Sequence, residues 1–433
     1  MLKILKSYFF SIMILMSATV SGQNLQEIYQ QVLKSDPRLK IGSLTVEVYG
    51  AQEQQAFGAL MPQVSINSSW TENQQVTTGS SKSSFSGERH TLSVQQSLID
   101  MPKYYAWKRA EDKYEVTSFE RKYTHSLIRL DTVERYFDLL LAMDELALIR
   151  ETKTSTEKKV EHIRALYQMQ RVKVTELYEV EAELDTLASQ EIDAMQKKDL
   201  AKEGLSELTN KPVKDIAVLS ATIEFIQRVE NINEWSANAL PANSSLMALQ
   251  KTIDASQRYI DQQTAGHFPR LDMQLSKNKS NIGFEFAASP TTTTEVASLN
   301  IKIPLFSGGK TTAHVYEATQ QLAISRAKYD LKKRELIKEL KDTFLVVNAM
   351  VRRTEAADKA IKSTRKSYQA MNKSFELGIA TVSEVLLAQQ KYSEAKKNYQ
   401  AAKYSYITTK AMLLQISGKL NDDAIYEINK WLL

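Results

Sequence analysis

The sequence predicts a mostly α-helical chain built as a duplicated half-molecule, with long coiled-coil helices and four β-strands. Three observations carry this. First, the chain is written twice: Leu60-Met61-Pro62-Gln63-Val64 returns as His267-Phe268-Pro269-Arg270-Leu271, 207 residues on. Val174-Thr175-Glu176-Leu177 likewise returns as Val382-Ser383-Glu384-Val385, 208 residues on. A period this long exceeds the roughly 20–50 residues of solenoid units, so it marks two copies lying side by side about one axis. Second, proline is absent between Pro102 and Pro212 and again after Pro304, and Gly204 is the only glycine between Gly87 and Gly266. Two stretches of the chain therefore lack the usual helix breakers. Third, alternating apolar and polar segments follow Pro62 and Pro269, the period of strands rather than helices.

The elements follow in order. Residues 1–22 have a basic start (Lys3, Lys6), an apolar core from Tyr8 to Val20 and small residues at Ser21 and Gly22. This is the pattern of a secretory signal peptide, too short in its core to span a membrane. A first repeat is expected at 23–209 and a second at 241–417, with a connector at 210–240 and a tail at 418–433.

Within each repeat a proline stops a helix and opens a strand. Val64, Ile66 and Trp70 share one side of the first, and Leu92, Val94, Gln96 and Leu98 one side of the second. In the second copy Leu271, Met273 and Leu275 form one row, and Leu299, Ile301, Ile303 and Leu305 the other. The Ser/Gly-rich stretch Thr77 to Gly87 and the threonine-rich stretch Ala287 to Glu295 read as the connecting loops. Each strand is about as long as the 9–11 residues of a membrane β-strand. Four strands do not close a barrel, and open edges in lipid are costly. Three chains would supply twelve strands. Surface hairpins on a soluble helical protein are the other reading of these residues.

The helices then run as coiled coils. Val385, Tyr392, Tyr399, Tyr406 and Leu413 repeat every seven residues, with Ala388, Ala395, Ala402, Thr409 and Ile416 as companion row. In the first copy Leu177, Leu184 and Leu205 share one such row, interrupted by Glu191 and Lys198, and Val180, Leu187, Ala194, Ala201 and Leu208 make its companion. Seven-residue apolar rows mean knobs-into-holes packing, and the alanines allow close approach. Met101 to Tyr167 alone would make roughly 100 Å of helix at about 1.5 Å per residue. Gln168–Lys173 and Glu376–Thr381 carry the turns into the next helices.

Composition excludes several classes. No cysteine means no disulfide and no thiolate chemistry. A net charge of +5, or +3 without Lys3 and Lys6, with 25% charged residues of both signs, gives no reason for a nucleic-acid partner. None of the histidines (His90, His125, His162, His267, His314) pairs at helical ligand spacing. Gly308-Gly309-Lys310-Thr311 lacks the upstream glycine of a phosphate loop. No catalytic centre, metal site or cofactor is expected, and the chain does not read as an enzyme.

Three segments carry a family resemblance: Gln96-Ser97-Leu98-Ile99-Asp100-Met101, Ile303-Pro304-Leu305-Phe306-Ser307-Gly308-Gly309, and Phe375 through Leu386. With the duplication, they make the mature chain resemble the TolC-like outer-membrane efflux family. That resemblance implies a homotrimer in outer-membrane lipid, with a 12-stranded barrel and a helical tunnel across the periplasm. The connector and tail would form a belt at its equator. It also implies a periplasmic adaptor (membrane fusion) protein and an inner-membrane RND, ABC or MFS pump as partners, in drug efflux, ion export or type I secretion. Without the resemblance, an exported periplasmic coiled-coil adaptor or structural protein is the alternative.

The resemblance also implies sites. Glu384 falls where the family carries an acidic ring at the tunnel entrance, and Leu387 occupies its second acidic position. Thr175 and Glu176 match the latch of the closed entrance. Its tyrosine and arginine partners are Phe375 and Ala380 here. Gln170, Arg171, Gly378 and Ile379 are the expected adaptor-docking tips.

Overall fold

The structure, a computed structural model, describes residues 22–76, 82–220, 225, 232–283 and 287–432. Apart from Gly22, the expected signal peptide lies outside the described residues. Helix α1 (Leu25–Ser35) starts at Asn24, whose side chain accepts from the Glu27 amide while Glu27 reaches back. This capping box satisfies N–H groups that have no partner within the helix. Asp36 caps α2 (Pro37–Gly58), which opens on a proline in its first turn. Strands β1 (Gln63–Gln75) and β2 (Ser83–Ile99) lead into α3 (Met101–Gln168) and α4 (Val174–Thr209). The order then repeats: α5 (Ile232–Ala239), α6 (Ser244–Thr264), β3 (Arg270–Ile282), β4 (Ala288–Lys302), α7 (Lys310–Glu376) and α8 (Val382–Ile416). Helix α9 (Asp422–Asn429) follows.

The long helices match between copies at 68 and 67 residues, and their successors at 36 and 35. Only the first of each pair is very long. No helix among the described residues is long and apolar enough to cross a membrane.

The strands form one antiparallel sheet in the order β1-β2-β3-β4. Val64 faces Val94, which faces Leu275, which faces Ala297, so these residues share one face. On the other face Ser65, Ser93, Ser276 and Val296 line up, polar save the valine. Ile66 and Ile301 are 71% and 69% exposed on the apolar face, which none of the described residues covers.

The strands run further than the sequence pattern indicates. Ser83–Gly87 belongs to β2 and Ala288–Glu295 to β4, not to loops. Thr292, Thr293 and Thr294 pair with Ser280, Lys279 and Asn278. β-Branched threonine suits a pleated ladder, and Lys277 pairs with Glu295 across it at 2.7 Å. At the other end β4 stops at Lys302, so Ile303 and Leu305 leave the expected row. A register shift between Ser97 and Ile99 sets Ile99 opposite Leu271 and displaces Leu98.

The core sits at mid-height of the helices. Tyr29, Tyr136, Phe137, Leu140, Leu340 and Tyr406 are among its fully buried side chains. The Tyr136 hydroxyl donates to the Ala217 carbonyl at 2.9 Å, which ties the segment after α4 to α3. Arg129 joins Tyr29 and Asp422 at 2.8 and 2.9 Å, which ties α1 and α9 to the same helix. Both heptad rows of α8 point inward: Val385, Ala388, Ala395, Ala402, Leu413 and Ile416 are buried. Of the tyrosine stripe Tyr406 is core, while Tyr392 and Tyr399 are half-buried, with Tyr392 stacked on Tyr368 at 6.0 Å.

Candidate functional site: the helical turns

Helix α3 leaves the sheet at Met101 and runs without a break to Gln168. At about 1.5 Å per residue its far turn lies about 100 Å from the strands. The α7–α8 turn is its counterpart.

Both turns close the same way. Gln170 has φ 61° and Gly378 φ 73°, the left-handed conformation that ends a helix. The Arg171 amide donates to Leu166, and the Ile379 amide to Ser374, each at 2.9 Å. The chemistry at the next helix start differs. Thr381 caps α8 in a capping box: the Glu384 amide donates to Thr381 Oγ1 at 3.3 Å, and the Thr381 amide donates to Glu384 Oε2 at 2.8 Å. That backbone N–H and the Thr381 hydroxyl hold the Glu384 carboxyl below the usual glutamate range. At α4 the cap is Lys173, with no side-chain bond.

Glu384 and Leu387 are both exposed, three residues apart on one side of α8. Thr175 and Glu176 lie in the first turn of α4. Among the described residues neither makes a side-chain hydrogen bond or ion pair to the other turn. Phe375 and Ala380 do not restore a polar latch. Phe375 instead packs edge-on to His162, with ring centroids 6.4 Å apart. The contact between the two turns is apolar. Val382 is buried with Val160, Ile163, Leu177 and Val180, and Phe375 and Leu386 pack against that cluster. Gln170, Arg171, Gly378 and Ile379 are exposed at the tips.

Sequence reasoning missed Thr381 as the cap and Val382 as the joint. Thr381-x-x-Glu384 is the capping-box signature and was available to find. Val382 carried no signal, since its partners come from the other copy. At the other end of α7, Gly308 and Gly309 adopt φ 61° and 79° and turn the chain from sheet to helix. They form a turn rather than a phosphate loop. Among the described residues no cluster of side chains could hold a metal ion.

Comparison with known proteins fits this arrangement. The outer membrane efflux protein family profile matches residues 28–211 and 235–419, one stretch in each copy. The chain is 25% identical to the outer membrane protein TolC of Vibrio cholerae, over 96% of this chain and 95% of that one. It is 26% identical to the alkaline protease secretion protein AprF of Pseudomonas aeruginosa, over 96% and 88%. The Campylobacter jejuni CmeC outer membrane channel has the same fold, with a TM-score of 0.82 at 16% identity, over 95% of this chain and 90% of that one. These matches set aside the reading as a coiled-coil adaptor. The protein is an outer-membrane channel with a long periplasmic helical part, and the chain belongs to the outer membrane efflux protein family.

Proposed function

We propose that the chain is the outer-membrane duct of a tripartite export system, with three copies closing one barrel and one tunnel. The observation that carries this is that both ends of the assembly unit are open. Among the described residues strand β1 pairs only with β2, and β4 only with β3. An unpaired strand edge in lipid costs several kcal/mol per orphaned group, so the edges need partners. The helical wall is open in the same sense. Helix α2 packs on α3, and α7 on α6 and α8. Ile41, Leu44 and Val48 stay exposed along α2, and Tyr316, Ile324 and Leu331 along α7. Two different apolar edges fit each other head to tail, and such contacts close a ring.

The exposed tips at Gln170, Arg171, Gly378 and Ile379 are the docking surface for a periplasmic adaptor, through which an inner-membrane RND, ABC or MFS pump delivers cargo. Glu384 faces its two symmetry copies at the narrow entrance, and Leu387 replaces a second acidic ring with an apolar one. Three carboxylates in a water-filled throat favour cations. The duct itself performs no chemistry. The test is the mass of the detergent-solubilised particle. A trimer is expected, and a stable monomer would overturn the reading. For the entrance, Glu384→Gln should lower cation selectivity in single-channel recordings. Unchanged selectivity would leave Glu384 as a helix cap only.

A further inference from the structure

The geometry points to a binding site for an amphiphilic organic anion, one carboxylate or sulfonate on an aromatic body, in the cleft between α3, α7 and α8. The cleft lies just above the turns and encloses about 560 Å³, within the range of small-molecule sites. Tyr368, Phe375, Ile163, Val382 and Val385 give it apolar and aromatic walls, and Lys159 stands among them.

Lys159 is the centre of the argument. Its ammonium donates to Gln389 Oε1 and lies 4.9 Å from the centre of the Tyr368 ring. The Tyr368 hydroxyl donates to the same Gln389 oxygen at 3.3 Å. Gln389 is 5% exposed and donates from Nε2 to Thr156 Oγ1 at 3.0 Å, so its orientation is fixed. The direct partners of the cation are therefore neutral groups; the Glu183 carboxylate on α4 acts on it only from beyond ion-pair distance. Burial pushes its pKa down from the ordinary lysine value. A half-buried ammonium with neutral partners gains from an anion that enters on its open side. Lys158 and His162 add to the same wall, while the rim carboxylate of Glu376 is already paired with Lys373 at 2.9 Å.

The duplication provides an internal control. At the shift of 208, Lys159 corresponds to Ser367, His162 to Ala370, Tyr368 to Val160 and Gln389 to Glu181. Four positions of this cleft thus differ in chemistry from their counterparts, although the backbone repeats. In the other copy Glu181 is an ordinary surface partner of Arg164 at 2.7 Å. The divergence gives this groove an aromatic wall and a cation with only neutral direct partners, which the counterpart positions Ser367, Ala370, Val160 and Glu181 do not supply. The inference depends neither on ring closure nor on the exported cargo.

The test uses the purified full chain in a non-ionic detergent, with 2-naphthalenesulfonate as probe and calorimetric titration as readout. Saturable binding at one site per chain is expected. Lys159→Met should weaken it about tenfold or more, the scale of one charge-assisted contact. Lys159→Arg should keep it near the wild-type value. A second variant covers the case in which Lys159→Met assembles poorly. Gln389→Glu supplies an internal carboxylate and should weaken binding by a similar factor. A neutral naphthyl alcohol should bind about tenfold more weakly than the sulfonate. Absence of saturable binding at millimolar probe would overturn the assignment, as would equal affinity in Lys159→Met or Gln389→Glu.

Discussion

The two inner turns are the same backbone solved twice with different side chains. Each helix ends in a left-handed residue, each chain folds back through an amide bond to the preceding turn, and each next helix starts from extended backbone. The starting residues, Lys173 at φ −78°, ψ 152° and Thr381 at φ −85°, ψ 161°, almost superpose in conformation. Yet Gly378 stands where Gln170 does, and Thr381 where Lys173 does. The α7–α8 turn thus has the low-cost residue at both special positions. The α3–α4 turn has neither, and it relies on Val382 from the other copy to cover its apolar surface. Backbone geometry survives duplication because it is set by hydrogen bonds any residue can make. Stability is not copied with it.

The largest expected effect breaks the joint between the turns. Val382 is 3% exposed, whereas its counterpart Val174 is 36% exposed. Val382→Asp buries a carboxylate without a partner and should destabilise the tip by about 3–5 kcal/mol. Val174→Asp puts the same group at an open helix start and should change stability by less than about 0.5 kcal/mol. Amide exchange of the α3–α4 turn measures both. Equal protection in the two variants would mean that the apolar cluster does not tie the turns together.

Next comes the cap. Lys173→Thr places Thr three residues before Glu176, which recreates the arrangement of Thr381 and Glu384 in a backbone already suited to it. The gain at the start of α4 should be about 1 kcal/mol, and Thr381→Ala should cost α8 about the same. If Lys173→Thr gives no added protection, the two starts differ in more than the cap. A smaller step concerns the left-handed residue. Gln170→Gly removes the Cβ penalty but gives the unfolded chain more freedom, so the net gain should be about 0.5 kcal/mol. Thermal melting of the purified chain, compared with the reciprocal Gly378→Gln, measures it.

Much of this was legible in the sequence. The heptad rows, the absence of breakers and the repeat place α3, α4, α7 and α8, because each signal is local and periodic. The strand ends were less legible. Ser83–Gly87 and Thr292–Glu295 have loop-like composition but are drawn into the sheet by cross-strand partners. Leu98 leaves its row through a register shift that no alternation pattern encodes. At the tips, Glu384 and Glu176 both read as acidic helix starts, and their different bonding is encoded locally too, since Thr381 stands three residues before Glu384 and Lys173 three before Glu176. The Val382 cluster and the Lys159 cleft depend on residues about 200 or more apart, so only the folded chain brings them together.

The smallest effect separates the turns by pH. The carboxylate of Glu384 accepts from the amide and hydroxyl of Thr381 at 2.8 and 3.0 Å, bonds that only the ionised form makes in full. Its folded-state pKa is therefore below the ordinary glutamate value. A depressed carboxylate contributes stability that is present above the unfolded-state pKa and fades as pH falls through the folded one. Protection of the first turn of α8, corrected for intrinsic exchange, should thus be constant near neutrality and decline once pH drops below the usual glutamate range. Glu384→Gln should remove that decline. The first turn of α4 has no side-chain bond at its cap, so it serves as the reference within the same molecule. Because Glu384 is exposed, solvent screens the interaction and the change should be modest. If α8 in the wild type and in Glu384→Gln shows the same acid response, the capping box does not govern the start of α8, and the contrast between the turns rests on the left-handed residues and the apolar joint alone.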